Sequence, residues 1–129
     1  KVAVTVFLNS GGGYMRDGYE LGELFRKNQV ATEIAFNGEC YSSCAAAFLG
    51  GKHRTMGENS KLLFHAPYII TGSDDIACLR SDKNLVSFMI DMLGSDEGAF
   101  LYERTMSFCS TTSGWSLNKD AAEVFGLIN

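Results

Sequence analysis

The first third of the chain alternates apolar and amphipathic segments. Residues 2–8 are β-branched or apolar almost throughout, which is typical of a parallel strand buried on both faces at the centre of a sheet. From Met15 to Asn28, apolar residues recur at helical spacing with charged residues between them, which predicts an amphipathic helix. Residues 31–36 predict a second strand. This order predicts one right-handed parallel strand–helix–strand unit.

The middle of the chain predicts shorter elements. Small residues from Ser42 to Leu49 predict a short helix that ends at the two following glycines, and residues 61–64 predict a strand. Residues 68–73 are expected to form a loop. Apolar positions over residues 74–93 predict a long helix that either closes the core or packs against another subunit.

The last third predicts two more helices. Ser95 is expected to cap a helix that continues over residues 99–108, and Asn118 is expected to cap a short final helix. Residues 115–117 are expected to lead into that helix, and Gly126 to end it.

Composition narrows the class of protein. A chain of 129 residues with 46% hydrophobic content predicts one domain over residues 1–129 with its own core. The net charge of −4 and the lack of a basic run argue against nucleic acid as a partner. No apolar run approaches the roughly 20 residues of a membrane-spanning helix. Because the chain opens on a strand with no signal-like segment, we interpret it as a processed or trimmed product.

The four cysteines bear on compartment and metal binding. An even number in a small chain favours disulfides and an oxidising compartment; buried reduced thiols in a cytosolic protein are the alternative. The Cys-x-x-x-Cys spacing is not a standard zinc pattern, and only His53 and His65 are available to complete such a site. We therefore predict no metal and no cofactor.

Three short segments carry the candidate chemistry. Ser42 follows a predicted strand and precedes an alanine-rich helix, a turn that can expose a hydroxyl beside unpaired backbone N–H groups. Gly11, Gly12 and Gly13 permit positive φ and close backbone approach. A serine needs a base within reach, and His65, at the end of the strand over residues 61–64, is the candidate. Taken singly, the glycine run also suits a plain turn or a phosphate loop, although it lacks both common nucleotide patterns, and His65 suits a structural role.

In their order and spacing these segments resemble the Clp-type serine peptidases and their crotonase-fold relatives, in particular a secreted bacterial branch with a Cys-x-Ser-x-Cys segment. Residues 9–13 resemble the family's Asn-Ser-Pro-Gly-Gly loop, residues 40–44 its nucleophile segment and residues 65–67 its His-Gln-Pro. Residues 117–128 resemble its closing helix and strand. The resemblance covers the whole chain and implies an α/β fold with a mostly parallel sheet flanked by helices, built from repeated β-β-α-type units.

The resemblance also implies roles for individual residues. Ser42 is the nucleophile, His65 the base, and the N–H groups of Gly13 and Ser43 form the oxyanion hole. It implies a peptide or protein substrate, a homo-oligomer and a periplasmic or secreted location, with a cytoplasmic location as the alternative.

At least one disulfide is predicted, and the first choice of pairing is Cys78–Cys109, which would tie two helices, with Cys40–Cys44, which would flank the nucleophile. Cysteines four residues apart approach the limit of about 6.8 Å between bridged Cα atoms, so the Cys40–Cys44 bridge requires an irregular turn around Ser42.

The acid of a full triad is where the sequence departs from the family. Alignment of the closing strand places it at Ser113 or Gly114, neither of which carries a charge. Asp120 is expected to face outward, and Asp74 and Asp75 reach the site only if the preceding loop folds back. We therefore predict that no carboxylate lies within hydrogen-bond distance of Nδ1 of His65. Neutral groups, such as a hydroxyl of residues 111–113, are expected to orient the ring, and slow turnover is expected.

Three functions remain open. The first is a Ser-His peptidase or related hydrolase that binds extended peptides beside the glycine loop. The second is a catalytically impaired relative that serves as a binding or assembly module. The third, a crotonase-type acyl-CoA enzyme, uses the same oxyanion geometry without a Ser-His pair.

Overall fold

The structure is a computed structural model that describes residues 3–72 and 75–129. Its elements follow one another in this order: β1 (Thr5–Phe7), α1 (Met15–Lys27), β2 (Ala31–Ile34), β3 (Glu39–Tyr41), α2 (Ser43–Leu49), β4 (Arg54–Met56), β5 (Lys61–Phe64), β6 (Tyr68–Thr71), β7 (Asp75–Cys78), α3 (Lys83–Leu93), α4 (Ser95–Met106), β8 (Trp115–Leu117) and α5 (Lys119–Val124). Among these residues, no helix is both long and apolar enough to cross a membrane.

The described strands form two three-stranded sheets and a separate hairpin. In the first sheet β2 lies between β1 and β4, and both pairings are parallel. In the second, β5 lies between β3, which is parallel to it, and β8, which is antiparallel. A parallel bridge between Ser10 and Cys40 joins the end of β1 to the second sheet. Strands β6 and β7 pair only with each other.

Helix α2 lies at the centre of the packing. All seven of its residues are buried, and α1 approaches it closely through two glycines. A Cβ atom at Gly18 would collide with the carbonyl of Ser43, and one at Gly50 would collide with the backbone of Gly22. The face of α1 towards α2 is therefore glycine-rich, whereas Leu24, which the helical pattern assigns to the apolar face, is 53% exposed.

The position of β1 differs from the prediction. Among the described residues β1 pairs with β2 alone, and Phe7 is 64% exposed, so β1 is an edge strand and is not buried on both faces. An apolar run reveals the preference for a strand but does not reveal how many neighbours the strand has. Val2, at the start of the predicted strand, lies outside the described residues.

The segment that follows His65 was also predicted wrongly. In place of a loop and a long helix from Asp74, the chain forms the β6–β7 hairpin, and α3 begins only at Lys83. Asp82 caps α3 through its side chain, whose Oδ1 accepts a hydrogen bond from the N–H of Leu85 at 3.0 Å. Short stretches of β-branched residues suit both helical and strand periods, and here cross-strand pairing prevails. Ser73 and Asp74 lie outside the described residues.

The ends of other elements needed smaller corrections. The second strand ends at Ile34, and residues 115–117 form strand β8. Ser95 is the first residue of α4 and makes no capping hydrogen bond; Gly94 occupies the N-cap position. The cap at Asn118 is confirmed, because its Oδ1 accepts a hydrogen bond from the N–H of Ala121 at 2.9 Å. The buried faces of α3 and α4 contribute Leu85, Phe88 and Leu101 to the core cluster.

Candidate active site

Ser42 forms the turn between β3 and α2 and has an unusual backbone conformation. Its φ of 58° and ψ of −116° lie outside the regions that serine prefers, a departure that typically costs about 1–3 kcal/mol. The surrounding hydrogen bonds hold it there: its N–H donates to the carbonyl of Leu63 at 2.8 Å, and its carbonyl accepts from the N–H of Ala46 at 3.1 Å. A strand–turn–helix segment does surround Ser42, and the helix begins at Ser43, but the strand that leads into the turn is β3 and not the strand predicted over residues 31–36.

The glycine loop packs directly on this turn. The N–H of Ser10 donates to the carbonyl of Glu39 at 2.8 Å, and the N–H of Tyr41 donates to the carbonyl of Ser10 at 3.0 Å. Gly12 has a φ of +112°, and a Cβ atom there would lie 2.9 Å from the carbonyl oxygen of Tyr41 and 3.0 Å from Cβ of Ser42. Only glycine fits this position without displacing the Ser42 turn.

His65 follows β5 and is 9% exposed. Its Nδ1 lies 3.0 Å from the carbonyl oxygen of Ala66, and its ring stacks on Tyr68 with the ring centres 5.6 Å apart. A carbonyl oxygen can only accept a hydrogen bond, so this contact favours the tautomer with the proton on Nδ1. In that tautomer Nε2 carries the lone pair and can accept a proton.

One cavity of about 690 Å³ is lined by both Ser42 and His65. The remaining lining is uncharged and is formed by the following residues: Gly11, Gly12, Gly13, Tyr14, Met15, Pro67, Tyr68, Ile69, Ile70 and Thr111. Within the described part of the chain the two side chains are not hydrogen-bonded to each other, so Ser42 and His65 share a cavity without forming a closed pair. Such contacts in unliganded sites often tighten only when substrate binds.

Gly13 and Ser43, the residues of the two predicted oxyanion donors, lie next to each other. A Cβ atom on Gly13 would lie 3.6 Å from the hydroxyl of Ser43, which is ordinary van der Waals contact. Ser43 is the first residue of α2, where a helix leaves its N–H without an intrahelical acceptor. Neither N–H donates to another group of residues 3–72 or 75–129.

The third triad position is occupied by neutral groups. Ser113 is exposed, and its hydroxyl bonds to that of Ser110 at 3.1 Å. A Cβ atom at Gly114 would collide with the carbonyl of Phe64. No carboxylate of the described ranges pairs with His65, and Asp75 and Asp120 are both exposed.

The group on Nδ1 of His65 is thus neutral, as expected, but it is a backbone carbonyl and not one of the hydroxyls of residues 111–113 that the sequence offered as examples. Of those three residues, Thr111 lines the cavity with His65. The N–H groups of Thr112 and Ser113 instead donate to the hydroxyl of Ser110, both at 3.1 Å.

Two arginines hold the far end of α2, a feature that sequence reasoning missed. Arg26 donates to the carbonyls of Leu49, Gly50 and Gly51 at 3.1–3.2 Å. Arg54 is buried, and its guanidinium donates to the carbonyls of Leu127 at 2.6 Å and Gly51 at 3.0 Å. Burial, with a smaller contribution from the charge of Arg26, lowers the pKa of Arg54 to about 10. Because every acceptor is a backbone carbonyl, these contacts cannot be predicted from the pattern of side chains in the sequence.

Both predicted disulfides are present. Cys40–Cys44 joins β3 to α2 with a Cα separation of 5.1 Å, within the normal range, which the irregular turn at Ser42 makes possible. Cys78–Cys109 has a Cα separation of 5.9 Å. The second bridge ties strand β7 to the segment after α4 and does not tie two helices as predicted.

Comparison with known proteins places the fold. No protein-family model and no curated protein matches the chain. Among solved structures, ClpP1 from Listeria monocytogenes matches with a TM-score of 0.66 at 17% identity, over 98% of this chain and 71% of that one. A lysine-to-alanine mutant of the 1510-N membrane-bound stomatin-specific protease, in complex with a substrate peptide, matches with a TM-score of 0.67 at 16% identity, over 98% of this chain and 59% of that one.

A serine-to-alanine mutant of the same 1510-N protease matches with a TM-score of 0.69 at 15% identity, over 98% of this chain and 62% of that one. The chain therefore spans roughly 60–70% of the length of these proteases. At such identities the likeness concerns the fold. The predicted α/β fold of the Clp protease type, with parallel strands and flanking helices, is confirmed.

Proposed function

We propose that this chain is a serine peptidase in which Ser42 attacks the peptide carbonyl and His65 accepts its proton. The observation that carries the proposal is the placement of Ser42. It sits in a strained turn and lines one cavity together with His65 and the three glycines of the loop. Strained backbone at a nucleophile is a common feature of such sites, and the neighbouring packing of Gly12 maintains it here.

The reaction follows from these positions. Attack by Oγ of Ser42 on the carbonyl carbon transfers the hydroxyl proton to Nε2 of His65 and places negative charge on the substrate oxygen. The N–H groups of Gly13 and Ser43 are the proposed donors to that oxygen, each contributing on the order of 10²–10³ in rate. Collapse of the intermediate expels the amine, which takes the proton from His65. Water then attacks the acyl-enzyme with His65 again as base.

The group that faces Nδ1 of His65 determines how fast a turnover we expect. A carbonyl at 3.0 Å selects the tautomer that leaves Nε2 able to accept the proton. It carries no full negative charge, so it stabilises the imidazolium less than an aspartate does. Loss of the aspartate costs about 10⁴ in a well-studied triad, and we expect slow turnover on this basis.

The cavity and the comparisons support a peptide substrate. Its lining is uncharged and largely apolar, and the glycine loop offers exposed backbone to which an extended peptide can bind. A substrate peptide is bound in the 1510-N complex, which shares the fold. We further propose that residues 1–129 act as one domain in a homo-oligomer. A periplasmic or secreted location is proposed because two disulfides are typical of an oxidising compartment.

A fluorophosphonate probe tests the assignment of Ser42. Wild type, Ser42→Ala, Ser43→Ala and His65→Ala are treated with the probe, and the adduct is located by peptide mass mapping. We expect a single adduct on Ser42, retained in Ser43→Ala and strongly slowed in His65→Ala. Labelling of Ser43, or of no serine in correctly folded wild type, contradicts the assignment.

A second candidate function is a binding module that keeps the fold without efficient catalysis. Two features favour it: Ser42 and His65 are not hydrogen-bonded to each other within the described ranges, and a carbonyl occupies Nδ1. Cleavage of a fluorogenic peptide library by wild type and Ser42→Ala separates the two functions. Equal background rates together with retained peptide binding support the module, whereas cleavage that depends on Ser42 supports the peptidase.

A further inference from the structure

The Cys40–Cys44 disulfide brackets the candidate nucleophile. Cys40 lies in β3 and Cys44 in the first turn of α2, so the bridge encloses only residues 41–43. Both cysteines are buried, at 0% and 6% exposure. The bridge is therefore part of the core beneath the cavity rather than a surface link.

The bridge joins the residues on either side of Ser42, and the φ and ψ angles of Ser42 lie within the segment that it closes. Strand β3 is held through hydrogen bonds from Tyr41 to Ser10 and from Ser42 to Leu63, and α2 is held by its packing against α1. Between these fixed elements, the φ and ψ of Ser42 set the direction of its hydroxyl. Serine at a φ of 58° favours relaxation towards negative φ. A covalent link between the residues two positions before and two positions after Ser42 opposes that relaxation.

We propose that the Cys40–Cys44 disulfide is a positioning element that holds Ser42 in its positive-φ conformation at the wall of the cavity. This inference rests on the proposed function, because the group it positions is the proposed nucleophile. The bridge takes no part in the chemistry and acts through Ser42.

The second disulfide provides a matched comparison. Cys78–Cys109 fixes the base of the β6–β7 hairpin to the segment before Thr111, and both the hairpin and Thr111 line the cavity. Its removal loosens the walls that contact substrate but leaves the turn at Ser42 intact. Loss of this bridge is therefore expected to raise KM, whereas loss of Cys40–Cys44 is expected to lower kcat.

The test compares Cys40→Ala/Cys44→Ala with Cys78→Ala/Cys109→Ala and wild type. Circular dichroism and thermal unfolding establish that each variant is folded. We expect the rate of fluorophosphonate labelling of Ser42 to fall by about ten- to a hundredfold in the first variant, the range that corresponds to releasing a strained backbone conformation. In the second variant Ser42 is expected to keep its positive φ, and its labelling rate is expected to fall by less than in the first variant. A folded first variant that labels within about twofold of wild type overturns the proposal.

A readout without activity separates this inference from the proposed function. A crystal structure of the Cys40→Ala/Cys44→Ala variant gives the φ of Ser42 directly. If wild-type Ser42 does not react with the probe, the peptidase assignment fails. The positioning role is tested separately, by the φ of Ser42 in this variant. A negative φ supports the role and an unchanged positive φ overturns it. If this variant does not fold, Cys40→Val/Cys44→Ser is measured in its place; failure of both to fold overturns the proposal, because the bridge is then a requirement for folding.

Discussion

Replacement of Gly12 by alanine tests whether the glycine loop maintains the Ser42 turn. Gly12 has a φ of +112°, a conformation in which an L-residue typically costs about 1–3 kcal/mol. Its new methyl would also lie 2.9 Å from the carbonyl oxygen of Tyr41 and 3.0 Å from Cβ of Ser42, and neither atom can move without shifting the turn. We therefore expect a local cost of about 2 kcal/mol, which corresponds to roughly a 30-fold loss in the labelling rate of Ser42 if it is expressed at the site.

Gly11 is the matched control for this substitution. It belongs to the same loop and does not have a positive φ, and a methyl group added there would meet no atom within 4 Å. Gly11→Ala is expected to change the labelling rate by no more than about threefold, the size of an ordinary surface substitution. Labelling rates are measured at several probe concentrations, with urea unfolding to verify that both variants are folded. Equal rates for the two variants would show that close packing of Gly12 does not hold Ser42 in place.

Three further predictions concern groups around the site. Ser113→Asp places a carboxylate at the position that the resemblance assigns to the triad acid and is expected to raise kcat/KM for peptide cleavage by about tenfold or more. Gly114→Asp is expected to lower the unfolding temperature because its side chain would collide with the carbonyl of Phe64. Arg54→Ala is expected to destabilise the fold by about 3 kcal/mol in urea unfolding, since it leaves the carbonyls that the guanidinium contacts without donors. Removal of Cys78–Cys109, whose cysteines are separated by 31 positions, is expected to cost about 4 kcal/mol in the same assay, against about 2 kcal/mol for the other bridge.

Each of these predictions has a contrary outcome. Unchanged cleavage in Ser113→Asp would show that this position does not reach His65. An unfolding free energy for Arg54→Ala close to that of wild type would show that water or a neighbour replaces its hydrogen bonds. Equal losses of stability for the two disulfide variants would show that the length of the closed loop does not govern their contributions.

The sequence predicted that Ser42 follows a strand whose carboxyl end borders the site, although it assigned that strand to residues 31–36 and not to β3. Ser42 follows β3 and His65 follows β5, and these strands are adjacent and parallel. The bridge from Ser10 to Cys40 brings the glycine loop to the same edge. Three segments that are far apart in sequence thus meet as their order and spacing suggested, although their catalytic roles stay predictions.

What the sequence did not reveal depends on backbone atoms and on pairing between distant segments. The contacts of His65 with the carbonyl of Ala66 and of Arg54 with backbone carbonyls cannot be predicted from residue types, because every residue has a carbonyl. The hairpin was missed because Ile69 and Ile70 were assigned to a loop and Ile76 to a helix, whereas pairing between β6 and β7 makes all three strand residues. The three-residue strand β3 was also missed, because it follows directly after the turn that ends β2.

Ser42 and His65, the proposed catalytic pair, are held in place in different ways. This difference suggests which of the two residues limits the rate of the proposed reaction. The Ser42 turn is fixed by strand pairing, by the close approach of Gly12 and by a buried disulfide, so little freedom remains to it. His65 is held by the carbonyl of its own neighbour and by stacking on Tyr68, which belongs to a hairpin that pairs with neither described sheet. In the proposed mechanism, Ser42 is therefore positioned before substrate binds, whereas His65 also depends on its contact with the hairpin, which Cys78–Cys109 attaches to the segment after α4. On the proposed function, we expect a peptide that binds against the hairpin to bring His65 towards Ser42, which would link substrate recognition to proton transfer.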